Sequence, residues 1–549
     1  MTISRRDFLS SSALIGASAA IPAGIRETFA TTKVAATPPV ALPPGVSKAK
    51  FLQAVAEFGR VVGRENVLVD VQRLVSYKKI MLPENEALHE PAGAIMATTV
   101  EQVQGVLATC NKYRIPIWPI STGRNYGYGS AAPATRGQMV LDLRRMNKIL
   151  EVDPEMCTAL VEPGVTYRQL HDYLAAHDLP LWLSFPSPGP IAGPVGNTLE
   201  RGVGYNRYGE HVGHFCGLEV VLADGTVLRT GMGGVPQSNT WQCYRWGYGP
   251  WLDGIFTQSN FGVVTKMGLW LMPKPPAHKA FMVAWRSVDG FIQGVDVARR
   301  LRLASVLENG VMGEALYGIA TVARRADLYK GPGAIPDDVL AKIYESVGAP
   351  PWSFIGVLYG TEDQIAVNWR LVQEAFAATG GTIIAAEAGK KFPAQHMANN
   401  MTGTLELEEF GLLNFRGGGG SVWFAPVVQA KGSEVARQLE LVKPVLNEFG
   451  FDYLGGFLFA GDGGRALEHI VQLAFNRTDP DETKRAYACF DRLVTVNAAA
   501  GFGLYRTNTA FMDKVADTYG AAQRAVNRRL KRALDPHGVL APGKSGIHI

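Results

Sequence analysis

Along residues 92–129 the spacing of apolar positions changes three times. Residues 92–97 form a short unbroken apolar run that reads as a buried strand. Val103, Val106, Leu107 and Cys110 then recur at helical spacing, and Thr98 with Glu101 supplies a capping box at the start of that helix. Ile115 to Ile120 resume a strand punctuated by Pro116 and Pro119, and the pattern breaks at once into Ser121-Thr122-Gly123-Arg124-Asn125-Tyr126-Gly127-Tyr128-Gly129. Strand, helix, strand and glycine-rich loop make an α+β unit with its ligand expected at the end of the second strand. Glycine adopts backbone angles closed to other residues and lets a ligand approach the main chain, so this loop suits a diphosphate held by backbone N–H groups. An ordinary glycine-rich turn is the alternative, because short glycine patterns recur by chance.

Further on, 139–143 and 158–162 read as strands, and Leu170, Tyr173 and Leu174 as one face of a helix. Residues 181–197 hold four prolines and three glycines in seventeen residues, which predicts an extended segment fixed against something flat, with neither helix nor regular strand. Residues 218–228 read as a hairpin turning at Asp224-Gly225, and 262–272 as a closing strand. Later, 371–378 and 435–442 read as amphipathic helices, and Gly417 to Gly420 as a tight turn before a strand at 421–426.

At 549 residues the chain exceeds one core, and at about 150–250 residues per domain it should hold two or three. Hydrophobic residues make up 47% and charged residues 19%, which excludes a disordered chain. The net charge of +5 is spread thinly, with no polybasic tract to suggest nucleic acid or an anionic membrane. The five cysteines, Cys110, Cys157, Cys216, Cys243 and Cys489, are scattered without a CxxC pair, so neither a disulfide framework nor a metal site is expected.

The first thirty residues read as an address rather than as fold. Ser4-Arg5-Arg6-Asp7-Phe8-Leu9 is a twin-arginine pattern followed by an Ala-rich apolar stretch, with cleavage expected after Ala19 or Ala30. Twin-arginine export carries folded proteins, so a periplasmic, cofactor-bearing protein is expected. Residues 31–47 read as a Pro/Ala-rich linker, and no later run reaches the ~18 apolar residues that span a bilayer.

The loop at 121–129, the proline-rich 181–197, Glu200-Arg-Gly-Val-Gly-Tyr205 with Tyr208-Gly-Glu-His211, and Ser259-Asn-Phe-Gly-Val-Val-Thr-Lys-Met-Gly-Leu-Trp-Leu-Met-Pro273 occur in one order. Together they resemble the vanillyl-alcohol oxidase and p-cresol methylhydroxylase flavoproteins, from about residue 43 to 546. The resemblance implies an α+β fold in which a two-subdomain FAD-binding domain is split in sequence, at 48–272 and 499–549, around an inserted α+β cap at 273–498. It implies FAD contacts from Pro119, Ser121, Thr122, Gly123, Arg124, Asn125, Gly127, Pro188, Gly193, Asn197, Glu200, Gly262, Val263, Arg506 and Lys544.

Such enzymes bind a 4-alkylphenol as its phenolate and lose hydride from the benzylic carbon to the flavin. An anionic oxygen of this kind needs charge-assisted hydrogen bonds in a dry pocket. The resemblance assigns that clamp to Tyr128, Tyr505 and Arg506, adds Tyr205 to the site, and places Glu409 where an acid helps activate water. It also implies a homodimer and a c-type cytochrome partner, since the chain has no CxxCH of its own.

Two departures matter. The oxidases place an aspartate in the proline-rich segment where Ser187 stands here, which favours the hydroxylase branch. At the positions that carry a flavin link in relatives, this chain has Leu413 and Ser421, so non-covalent FAD with weakened oxidising power is expected. Gly461-Asp-Gly-Gly-Arg465 lengthens a cap segment, with Gly456 and Glu468 standing near places where relatives have an acid and a histidine, and His469 retained. An oxygen-using phenol oxidase on the same fold is the main alternative. A relative oxidising a hydroxy acid or sugar, or a binding module without activity, is more distant.

Overall fold

The helix Lys48–Val62 opens the fold, with Ser47 Oγ accepting from the Lys50 N–H and a buried face of Phe51, Ala54, Phe58 and Val62. Ala41 and Val46, just before it, are also buried. The computed structural model describes residues 41–186, 189–459 and 463–549. The signal expected at 1–30, the linker up to residue 40, Ser187, Pro188 and the Gly461-Asp462 step lie outside the described residues.

Strands β1 (Val67–Leu68), β2 (Gly93–Met96), β3 (Ile117–Ile120) and β4 (Met139–Asp142) form a sheet in the order β1-β2-β4-β3, in which β2 and β3 both run parallel to β4. Parallel neighbours need a crossover, supplied between β2 and β3 by the helix Val100–Tyr113. Its cap lies one residue beyond the expected box. Thr99 Oγ1 accepts from the Gln102 N–H at 3.2 Å, while the Thr98 N–H and hydroxyl donate to Gln102 Oε1 at 2.8 and 2.9 Å. Gln102, not Glu101, reaches back, and it bonds the residue before the cap rather than Thr99 itself, so the reciprocal box is not formed.

Next come β5 (Ile149–Asp153), β6 (Thr158–Val161), the two-residue β7 (Leu181–Trp182), β8 (Phe215–Val221), β9 (Val227–Arg229) and β10 (Val263–Trp270). All but β7 form an antiparallel sheet ordered β5-β6-β10-β8-β9, with the β8–β9 hairpin turning beside Gly225, while β7 pairs with β11 (Met272–Pro273). The expectation of no helix in 181–197 is corrected here, since Pro194–Leu199 is helical. Pro194 occupies the first helical position, where a missing N–H costs nothing and the fixed φ favours the turn.

The remaining strands, β12 (Ala277–Trp285), β13 (Val311–Glu314), β14 (Trp352–Gly360), β15 (Thr382–Ala385), β16 (Gly420–Gln429), β17 (Leu454–Leu458), β18 (Ala466–Phe475) and β19 (Leu504–Arg506), form one antiparallel sheet ordered β15-β12-β14-β13-β17-β18-β16-β19. Alternate residues point to opposite faces. Phe281, Val283, Phe354, Phe424, Phe457 and Val471 enter a core shared with residues of the helices Val288–Leu303, Glu362–Ala377, Gly432–Glu448 and Pro480–Ala499. The amphipathic stretches read at 371–378 and 435–442 overlap the second and third of these helices. Met282, Ala284, Ile355, Gly313, Gly456 and Ile470, the complementary set, line a cavity. The chain returning after the helix Pro480–Ala499 joins this sheet as edge strand β19, so Tyr505 and Arg506 arrive at its border.

The C-terminus is fastened beneath β3. Ile117 N–H donates to Val539 O and Ala541 N–H to Ile117 O, both at 2.8 Å. Lys531, buried, pairs with Asp535 at 2.7 Å and donates to Asn260 O and Leu540 O, which leaves no charge unsatisfied there.

Candidate active site

A cavity of about 1630 Å³ runs from the loop after β3 to the open face of the eight-stranded sheet. On the loop side Gly123, Gly127 and Gly129 have φ of +65°, +72° and +124°, angles at which a side chain is strained. A Cβ at Gly129 would stand 2.6 Å from Thr509 Oγ1, and one at Gly193 2.8 Å from Thr122 Cγ2. Pro119, Ser121, Thr122, Gly123, Arg124, Asn125, Gly193, Asn197, Glu200, Gly262, Val263, Arg506 and Lys544 line the cavity. Gly127, also expected among the contacts, sits differently. It is absent from the lining and instead lets the chain pass hard against the indole of Trp423, which does line it. Pro188 lies outside the described residues.

Buried polar contacts hold this wall. Lys544 pairs with Glu200. Burial pushes the Glu200 carboxyl up, but Lys544, Arg506 and Arg201 outweigh it and hold the group below its usual range. Asn197 Oδ1 is 2.5 Å from His211 Nδ1, and burial together with the His214 and Arg506 charges takes His211 down to about 3, so it serves as a neutral donor. Gln258 Nε2 donates to Tyr505 O at 2.8 Å and Glu200 O at 3.2 Å, tying β19 to this wall.

Tyr128, Tyr505 and Arg506 meet at one end of the cavity. The Arg506 guanidinium carbon lies 3.9 Å from the Tyr128 ring centroid, and Arg506 Nη2 donates to Asn125 Oδ1 at 2.5 Å. The Tyr128 and Tyr505 hydroxyls hydrogen-bond to each other. Burial raises both phenols, against the opposing pull of Arg506, so both stay neutral donors. Two hydroxyls and one permanent cation therefore converge with no fixed anion among the described residues hydrogen-bonded to them, an arrangement that attracts an anionic oxygen.

Tyr205 and Glu409 also line the cavity, and they touch each other. Tyr205 Oη donates to both Glu409 oxygens at 3.1 and 3.0 Å, and Tyr317 Oη to Oε1 at 3.3 Å. Burial and the Glu409 charge raise Tyr317 well above its ordinary value. Neither Leu413 nor Ser421 lines the cavity. Leu413 lies against an apolar cluster that includes Tyr128 and Trp423, and Ser421 Oγ accepts from Gln472 Nε2 at 2.9 Å, fully buried. Sequence reasoning passed over Tyr317, a tyrosine in the apolar helix Ala315–Val322, and Trp423, both of which line the site. Gln258 and Asn260 escaped too, although Asn260 lies in the Ser259–Pro273 motif. For Tyr317 no local signal existed, since only the fold brings it to Glu409.

The residues present fit FAD. The glycine wall leaves main chain open to a diphosphate, and Thr509 Oγ1 is a buried polar atom without a partner among the described residues. Fold and site together define an FAD-dependent oxidoreductase. Residues 91–231 match the family described as FAD binding domain, and 351–545 that described as FAD linked oxidases, C-terminal domain. The chain is 50% identical to the 4-cresol dehydrogenase [hydroxylating] flavoprotein subunit of Pseudomonas putida over 92% of its length and 98% of that protein. The crystal structure of p-cresol methylhydroxylase with substrate bound superposes with a TM-score of 0.90 at 50% identity, covering 92% of this chain and 99% of that one. The 4-ethylphenol oxidase of Gulosibacter chungangensis, in its isoeugenol complex, gives 0.88 at 32% identity over 92% and 99%. The chain belongs to the vanillyl-alcohol oxidase and p-cresol methylhydroxylase family of flavoproteins.

Proposed function

We propose that this enzyme oxidises 4-alkylphenols at the benzylic carbon and hydroxylates them there with water. The observation that carries the reading is the meeting of Tyr128, Tyr505 and Arg506 at the end of the cavity whose other wall suits FAD. The two hydroxyls and the guanidinium hold the phenol oxygen as its anion. Held so, the clamp makes the ring electron-rich enough to expel hydride, leaving a p-quinone methide to which water adds. Bound FAD supplies the hydride acceptor. Glu409, fixed by Tyr205 and Tyr317, orients the incoming water. FAD is held without a covalent bond, since Leu413 has no nucleophile and Ser421 is engaged away from the cavity.

Electrons pass to a c-type cytochrome in the periplasm, reached by twin-arginine export, and the flavoprotein assembles as a homodimer. The relative's being a flavoprotein subunit supports a second kind of subunit. Among the described residues no helix is long and apolar enough to cross a membrane. A second reading, an oxygen-using oxidase, is favoured by the likeness to 4-ethylphenol oxidase. Anaerobic mixing with a panel of 4-alkylphenols should bleach the flavin, and reoxidation should then be fast with cytochrome c and slow with air. Bleaching by no phenol would refute the reading, and faster reoxidation by air would select the oxidase.

A further inference from the structure

Glu468 is a carboxylate the reaction outlined above leaves unused. It lies on β18 two residues before Ile470 and so on the same face of the strand, the face that lines the cavity. Its cross-strand neighbours are Leu458 on β17 and Val427 on β16, and neither titrates. Its Oε2 is buried with no hydrogen-bond partner among the described residues, in contrast to Glu409, which two tyrosines engage. The charged and titratable groups whose fields reach it or feel its own are Glu210 ahead of β8, Arg506 and Tyr505 on β19, and Tyr128 in the glycine loop.

The clamp leaves a chemical gap that this group fills. Tyr128, Tyr505 and Arg506 are all donors, and a phenol arrives carrying its own proton, which none of them can accept. We propose that Glu468 is the base that takes the phenol proton: the substrate O–H bond breaks, its electron pair stays on oxygen, and an O–H bond forms on the Glu468 carboxyl, which then remains beside the phenolate as a neutral donor. Burial and the Glu210 charge, opposed by Arg506, raise Glu468 to about 8, between an ordinary carboxylate and a phenol, as a base for this transfer requires. The inference rests on the phenol reading, and the two fail separately in the test below.

The FAD-loaded protein is titrated with 4-fluorophenol, weakly acidic and without a benzylic C–H, and with pentafluorophenol, which arrives ionised at neutral pH. In the wild type, 4-fluorophenol affinity should rise with pH through an inflection near 8. In Glu468→Gln that affinity should fall about tenfold or more and the inflection vanish, while pentafluorophenolate binds as well as before or better. Equal changes for both ligands, or none, would overturn the assignment, whereas a wild type that binds neither ligand would overturn the phenol reading instead. Should Glu468→Gln not hold FAD, infrared spectra of the wild type above that inflection decide. Binding of 4-fluorophenol should create a carboxylic acid C=O band there, and its absence would refute the inference.

Discussion

The two walls of the cavity are built on different rules. The flavin wall is main chain and paired polar groups: glycines at positive φ, Glu200 against Lys544, Asn197 against His211. The opposite wall is the face of a sheet with many apolar positions, and the chemistry beside the clamp comes from Tyr505 and, from the neighbouring 3-10 turn and helix, Glu409 and Tyr317, with Glu468 on the same strand face as the lining Ile470. A cofactor that never leaves is held by shape, by where a Cβ cannot fit. A substrate that comes and goes is held by a few side chains whose protonation decides what binds. Tolerance to substitution should therefore differ between the walls in kind as well as degree.

The sharpest break should come at Gly129→Val. The added side chain meets Thr509 at a φ of +124°, so purified protein should carry little or no FAD, read from the ratio of flavin to protein absorbance. Next is Arg506→Met, which removes the only charge in the clamp. FAD should still load, and phenol-driven flavin reduction in anaerobic stopped flow should slow by about 10³-fold. Tyr505→Phe keeps the ring and loses one donor, for a slowing of about 10²-fold with little effect on FAD content. A loss of flavin equal to the loss of rate in either variant would erase the distinction between the walls.

The smallest effect concerns stability. His469, buried behind the sheet wall between Tyr453 Oη at 2.8 Å and Gln438 Oε1 at 3.0 Å, and His211 behind the flavin wall are each lowered by burial to about 3. A histidine depressed in the folded state stabilises above its unfolded value, near 6.5, and that stability is lost as pH falls toward 3. At pH 5 each should contribute about 2 kcal/mol less than at pH 7, visible in urea unfolding midpoints. Glu468 has the opposite sign. Its carboxyl is raised, so stability declines as pH rises from about 4.5 to about 8, and Glu468→Gln should flatten that alkaline limb alone.

What was legible in the sequence follows the same division. The flavin wall is local: the strand at β3, the break into glycines and the hairpin at Asp224-Gly225 lie within short windows, where period and turn chemistry speak directly. Its errors were also local, a cap offset by one residue at Thr99 and a helix hidden by Pro194 at its first position. The sheet wall is not local. Strand β19 crosses back to β16 from eighty residues away in register with Ala425, and only that pairing sets Arg506 over Tyr128. The resemblance supplied those three names, but no periodicity would have found them. Nor could it show that Glu409 is claimed by Tyr317 while Glu468 Oε2 has no hydrogen-bond partner among the described residues, since both facts depend on strand register and side-chain direction.

The most direct test is the ultraviolet spectrum of a phenol bound to the wild-type protein at neutral pH, with a ligand such as 4-fluorophenol that cannot be oxidised. The account predicts the phenolate band, displaced far below the ligand's solution ionisation and lost in Arg506→Met. A bound phenol that keeps its neutral spectrum would contradict it.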